Sequence, residues 1–145
     1  VANPSKEKGS AFEREVVAHL NKWEFGSDAE RRKAGMTDDR GDVVGVRDLA
    51  IECKNHKDVA AALRLALDAL PSEMRHSNAR FGVAVVKRAR KPVEDAYAVM
   101  TLRNWCALWQ LFRWQQDELK SKDQALRGAI VQLAIAQNEI KGEQA

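Results

Sequence analysis

Apolar residues recur along this chain at two different spacings, and the places where the spacing changes mark out its elements. Phe12, Val16, Leu20 and Trp23 stand three or four residues apart, which predicts a helix opening at Gly9-Ser10 and ending near Gly26. Ser10 and Glu13 have the spacing of a capping box. Between Ala29 and Cys53 the pattern shortens to β-like runs at 31–34, 42–44 and 48–53, punctuated by Gly35, Gly41 and Gly45, as in a small antiparallel meander. Helical spacing returns from Val59 to Leu70, with Leu63, Leu67 and Leu70 as its stripe and Pro71 as its interruption. Phe81 to Val86 then reads as a buried strand and Tyr97 to Met100 as another. Helix, three strands, helix, strand, strand predicts an α/β core.

The remainder is helical throughout. Thr101 can cap a helix, and no proline occurs from there to Lys141, so one helix of about 40 residues, roughly 60 Å long, is expected. Trp105, Phe112, Leu119, Leu126, Leu133 and Ile140 repeat every seventh residue. The companion row, Leu102, Trp109, Gln116, Asp123, Ile130 and Gln137, is half polar. This is a heptad seam that wants a partner helix, and its polar members favour a specific dimer over loose association. The competing expectation is a hairpin broken near Ser121-Lys122 or Gly128. Two regions follow: a core at 1–101 and a helical extension at 102–145. Trp23, Trp105 and Trp109 fall on apolar helical faces with Trp114 close by, which places them in core or interface.

Composition narrows the class. The 145 residues are 45% hydrophobic and 31% charged, which suits a folded chain with a solvated exterior. No apolar run reaches the length of a membrane span, and the first residues are polar, so no membrane partner and a cytoplasmic location are expected. Cys53 and Cys106 are too few for a disulfide framework and lack zinc-site spacing. The net charge of +3 is small, but cations cluster: from Arg75 to Lys91 no acid occurs, and Arg31-Arg32-Lys33 forms a second group. Such patches attract phosphate backbones, although a solvated face is the commoner fate of a charge run.

Chemistry concentrates between Asp39 and Lys54. On a strand, Glu52 and Lys54 share one face while Ile51 and Cys53 share the other, so Cys53 reads as a small buried hydrophobe. Asp42 reaches the Glu52 face if the chain turns near Arg47. Two ionised carboxylates about 4 Å apart repel by roughly 4 kcal/mol at an effective dielectric of 20. Lys54 offsets part of that, and a divalent cation that prefers oxygen, Mg²⁺ or Mn²⁺, can offset the rest.

Asp42 followed by Glu52-Cys53-Lys54 resembles the D…(D/E)-x-K signature of the PD-(D/E)XK nuclease superfamily. The segment from Lys8 to Val17 is similar to the first helix of its Holliday-junction resolvases, archaeal-type and phage-type. The resemblance covers about Lys8 to Met100. It implies a restriction-endonuclease-like core, α-β-β-β-α-β around a mixed central sheet. Gly41 stands where the signature's proline would be, and Asp38 and Asp39 lie near enough to compete with Asp42 as ligand.

The resemblance further implies a metal-dependent, structure-selective DNA endonuclease that resolves four-way junctions as a homodimer, in recombination or repair. Asp42, Glu52 and the Cys53 or Ala50 carbonyl would hold Mg²⁺ or Mn²⁺, and Lys54 would orient or deprotonate the attacking water. Glu13 would complete the metal site or serve only as a helix cap. Arg31, Arg32, Lys33, Lys57, Lys87, Arg88, Arg90 and Lys91 would follow the DNA backbone, with recognition by shape. The rivals are another nuclease of the superfamily, restriction-like, repair or flap, and a non-catalytic DNA-binding scaffold.

Overall fold

The computed structural model describes residues 4–23, 28–32 and 41–143, with side chains for 6–23, 28–32 and 41–139. Its elements run α1 (Pro4–Lys22), β1 (Glu30–Arg31), β2 (Val43–Val44), β3 (Leu49–Lys54), α2 (Val59–Ser77), β4 (Phe81–Val86), β5 (Tyr97–Val99) and α3 (Leu102–Glu143), with a 3-10 turn at Val93–Asp95. The described strands form a mixed sheet in sequence order, β1-β2-β3-β4-β5. Only β3 and β4 pair in parallel among them, and α2 connects the two. The chain divides into two compact units, Val1–Trp105 and Cys106–Ala145. No helix among the described residues is long and apolar enough to cross a membrane.

Alternation along β3 assigns the two faces of the sheet. Ile51 and Cys53 pack with Phe12 and Val16 of α1 and Val43 of β2, and Phe12 is completely buried. Burying a phenylalanine side chain contributes about 1.5–3 kcal/mol, so this face anchors α1. Ala50 and Ala84 point the other way and meet Ala66 and Leu70 of α2. Small residues on both sides let that helix lie close to the sheet: a Cβ on Gly82 would sit 2.9 Å from the Met74 sulfur. The buried line of α2 is therefore Ala62, Ala66, Leu70 and Glu73, whereas the sequence pattern put Leu63 and Leu67 on its inner stripe.

Two boundaries differ from expectation. α1 begins at Pro4, so Ser10 and Glu13 lie inside it and form no capping box at its start; proline suits a first helical turn because its missing N–H would have no partner there. α2 passes through Pro71 and ends at Ser77. Pro71 removes one backbone donor but buried residues continue beyond it, which holds the last turns on the sheet. Its cap residues behave as their types predict: Asp58 accepts from the Ala61 N–H, and Asn78 takes the left-handed conformation at φ +53°. α3 is continuous through Ser121-Lys122 and Gly128, which rules out the hairpin. Trp23 is largely exposed, its indole N–H donating to His19 Nε2 at 3.2 Å, and is not a core residue.

Candidate active site

A tight turn between β2 and β3 brings the site together. Gly45 adopts φ +88°, and a Cβ there would overlap the Asp28 carbonyl at 1.9 Å; Asp48 also adopts a positive φ, at +62°. The turn sets Val43 opposite Ile51 and places Asp42 just before β2, its N–H donating to the Ile51 carbonyl at 2.9 Å. Gly41, immediately before it, has φ +89°, and a Cβ would lie 2.7 Å from the Ile51 oxygen. Proline cannot adopt that φ. Glycine at position 41 is thus a requirement of this turn.

Asp42, Glu52 and Lys54 converge. The Asp42 carboxylate accepts from the Cys53 N–H at 2.8 Å and meets the Glu52 carboxylate, while Lys54 Nζ donates to Glu52 Oε1. Burial, and then the Glu52 charge, push Asp42 up to about 6, against the opposing pull of the Cys53 N–H and Lys54. Burial alone would lower the Lys54 ammonium, but the hydrogen bond and charge of Glu52, with Asp42 and Glu73 behind them, outweigh it and leave the group raised. Lys54 is accordingly a cation at neutral pH. The Cys53 thiol is buried against the α1 face and pushed well up by burial and by the charges of Asp42, Glu52 and Glu13.

The remaining site candidates do not join this cluster. Glu13 Oε2 accepts from Arg31 Nε at 2.6 Å, and the same guanidinium reaches Ser10 Oγ at 3.0 Å. This contact occupies both Glu13, a candidate ligand or cap, and Arg31, a candidate DNA contact. Arg32 lies beside the site, its N–H donating to the Asp42 carbonyl at 3.0 Å. Lys33, Asp38 and Asp39 fall outside the described residues. Lys87 pairs with Glu15 at 2.7 Å and lies over the Phe12 ring. β4 splits the basic stretch: Arg75 and Arg80 precede it and Lys87 to Lys91 follow, with about 20 Å of strand between. Arg80 is held by Asp48 at 3.2 Å. The stretch is therefore not one continuous track.

Glu73 is the residue that sequence reading missed. It is 1% exposed on α2, and its carboxylate lies 3.3 Å from where a Cβ on Gly41 would be. An acid on the inner line of a helix is a visible signal, but ending α2 at Pro71 hid it.

Among the described residues no three His, Cys, Asp or Glu side chains converge as a cage. Magnesium does not need one, since it is typically held by one or two carboxylates with water and substrate phosphate completing its shell. Asp42 and Glu52 supply two adjoining carboxylates, and Asp42, raised first by burial and then by the Glu52 charge, is a ligand that a cation would hold in its ionised form. The donor set fits such an ion. No protein-family model, curated protein or solved structure matches this chain.

A stability measurement tests the electrostatics. Because the native carboxyl of Asp42 titrates near 6 and the unfolded one near 3.8, the native state holds its proton more tightly. Its contribution is fully present below about pH 4, falls as pH rises through 6, and leaves a cost of about 3 kcal/mol above that. Asp42→Asn keeps the acceptor for Cys53 and removes this cost. Thermal unfolding without metal at pH 7.5 should show the variant melting about 5 °C or more higher, with a flatter profile between pH 4 and 6. A variant that melts lower, with the wild-type pH profile, would contradict the assignment.

Proposed function

We propose that this chain is a metal-dependent, structure-selective DNA endonuclease of the PD-(D/E)XK type, acting on four-way junctions as a homodimer. The observation that carries the reading is the convergence of Asp42, Glu52 and Lys54 on the sheet face opposite α1. Asp42, Glu52 and the Cys53 carbonyl would hold Mg²⁺ or Mn²⁺. Such an ion supplies Lewis-acid polarisation of the scissile phosphate and acidifies water.

Protein groups account for the rest. Water oxygen bonds to phosphorus in line as the P–O3′ bond breaks; the water gives up a proton to bulk solvent, the departing O3′ takes one from solvent, and the products are a 5′-phosphate and a 3′-hydroxyl. Lys54, held as an ammonium, is a donor and not a base: it orients the attacked phosphate and offsets the charge that builds on its oxygens. Two opposed strands of a junction need two such centres, which a two-fold dimer provides. The exposed seam of α3, including Leu119, Leu126 and Leu133, is the proposed dimer contact.

The test is cleavage of a four-way junction, a duplex and a flap of the same sequences in Mg²⁺. Faster cutting of the junction, in paired nicks, is expected. Equal rates on all three would replace the resolvase assignment with a general nuclease of the same superfamily, and no cutting in Mg²⁺ or Mn²⁺ would remove the nuclease reading.

A further inference from the structure

The parallel strands β3 and β4 end side by side, and the loops leaving them, with the exposed side of α1, enclose a hollow of about 210 Å³. Four cations that pair with no carboxylate among the described residues line it: Lys8, Lys57, Arg88 and Arg90. No carboxylate is among the described lining residues, and Lys87, which also lines it, is neutralised by Glu15. The walls are fixed to the scaffold: Asn55 Nδ2 donates to the Lys8 carbonyl at 3.1 Å, and the Lys87 N–H donates to the Lys54 carbonyl at 2.9 Å. Arg88 is steadied over the Tyr97 ring at 5.0 Å. Arg90 holds φ +60°, a left-handed conformation that is strained for a non-glycine residue.

Like charges gathered in one concavity repel, so the fold itself gains nothing from this arrangement; an anion would. Loops at the carboxyl ends of parallel strands are also where open α/β sheets place ligands. Lys57 follows Lys54 by three residues, so at most about 10 Å of chain separates them. That distance is about three nucleotides at 3.4 Å rise per nucleotide.

We propose that this hollow seats a backbone phosphodiester of the bound strand within about three nucleotides of the phosphate held at Lys54, and so sets the register of the cut. The inference rests on the nuclease reading, and its test is kept separate from cleavage. Binding of a labelled four-way junction is measured by anisotropy, without metal, across a salt series. Lys57→Ala/Arg90→Ala, both at exposed positions, should bind about tenfold more weakly at low salt, with the slope of log affinity against log salt reduced by about two. Lys22→Ala, at the far end of α1, should change the slope by less than one.

Unchanged affinity in the double variant, or an equal loss in Lys22→Ala, would overturn the proposal. Inorganic phosphate at constant ionic strength separates the two sources of phosphate. It should compete no better than chloride, and phosphate that binds the wild-type hollow while the double variant keeps its DNA affinity would assign the site to free phosphate instead. Absence of cleavage by the wild type would remove the nuclease reading while leaving the binding result standing.

Discussion

Replacing Lys54 with methionine is expected to slow junction cleavage by about 10²–10³-fold, well beyond the few-fold loss of DNA affinity, measured without metal, that one phosphate contact accounts for. Methionine keeps the half-buried stem packed and removes only the ammonium that Glu52 holds in place. A group that acts on the charge developing in the transition state shows its loss chiefly in kcat. Lys54→Arg, which keeps the charge in a different shape, should recover part of the rate. Asp42→Asn should lose at least as much, because it removes one of the two carboxylates proposed for the ion, and Mg²⁺ should then no longer raise its melting temperature. Glu13→Gln separates the two roles open to that residue. Its carboxylate is engaged by Arg31 in the structure, so a loss well below that of Asp42→Asn is expected, and an equal loss would make it a ligand. Junction cleavage at the parental rate by both Lys54→Met and Asp42→Asn would refute the proposed centre.

Strand periodicity made the core of this site legible. Alternation alone places Glu52 and Lys54 on one face of β3, and the glycines around Asp42 announce a turn short enough to bring it there. Long-range partners were not legible. Glu13 and Arg31 are 18 residues apart, and nothing local in either segment shows that one neutralises the other. The cations between Arg75 and Lys91 look continuous in sequence because a six-residue strand separates them by length without interrupting them by charge. In α2, packing against the sheet outweighs what single residue types suggest. Pro71 does not end the helix because packing beyond it holds the last turns, and the inner face of α2 keeps Leu70 from its leucine stripe but is otherwise set by alanines, which allow the closer approach.

The seam of α3 carries the second large effect. Trp105, Phe112, Leu119, Leu126 and Leu133 are each about half or more exposed along one helix, a density of apolar side chains that a lone helix in water has little means of sustaining. A second copy of the chain offers the same rows in the same register. Leu119→Glu/Leu126→Glu puts charge at two successive seam positions and should bring the mass in light scattering down to the 16.3 kDa of one chain, with the α/β core still folded by near-ultraviolet circular dichroism. Asp123 should act in the opposite direction. It occupies the half-polar row, with Arg127 beside it at 2.8 Å, and a polar seam residue fixes register at a cost in stability. Asp123→Ile should therefore tighten self-association, lowering the concentration at which the dimer dissociates. If Leu119→Glu/Leu126→Glu leaves a dimer intact, the contact lies in the core and the seam serves another helix. If Asp123→Ile leaves self-association unchanged, Asp123 does not face a partner and the heptad assignment fails. Junction cleavage gives an independent reading of the same interface. A monomeric variant with an intact centre should still nick single strands but lose the paired cuts that two coupled sites produce.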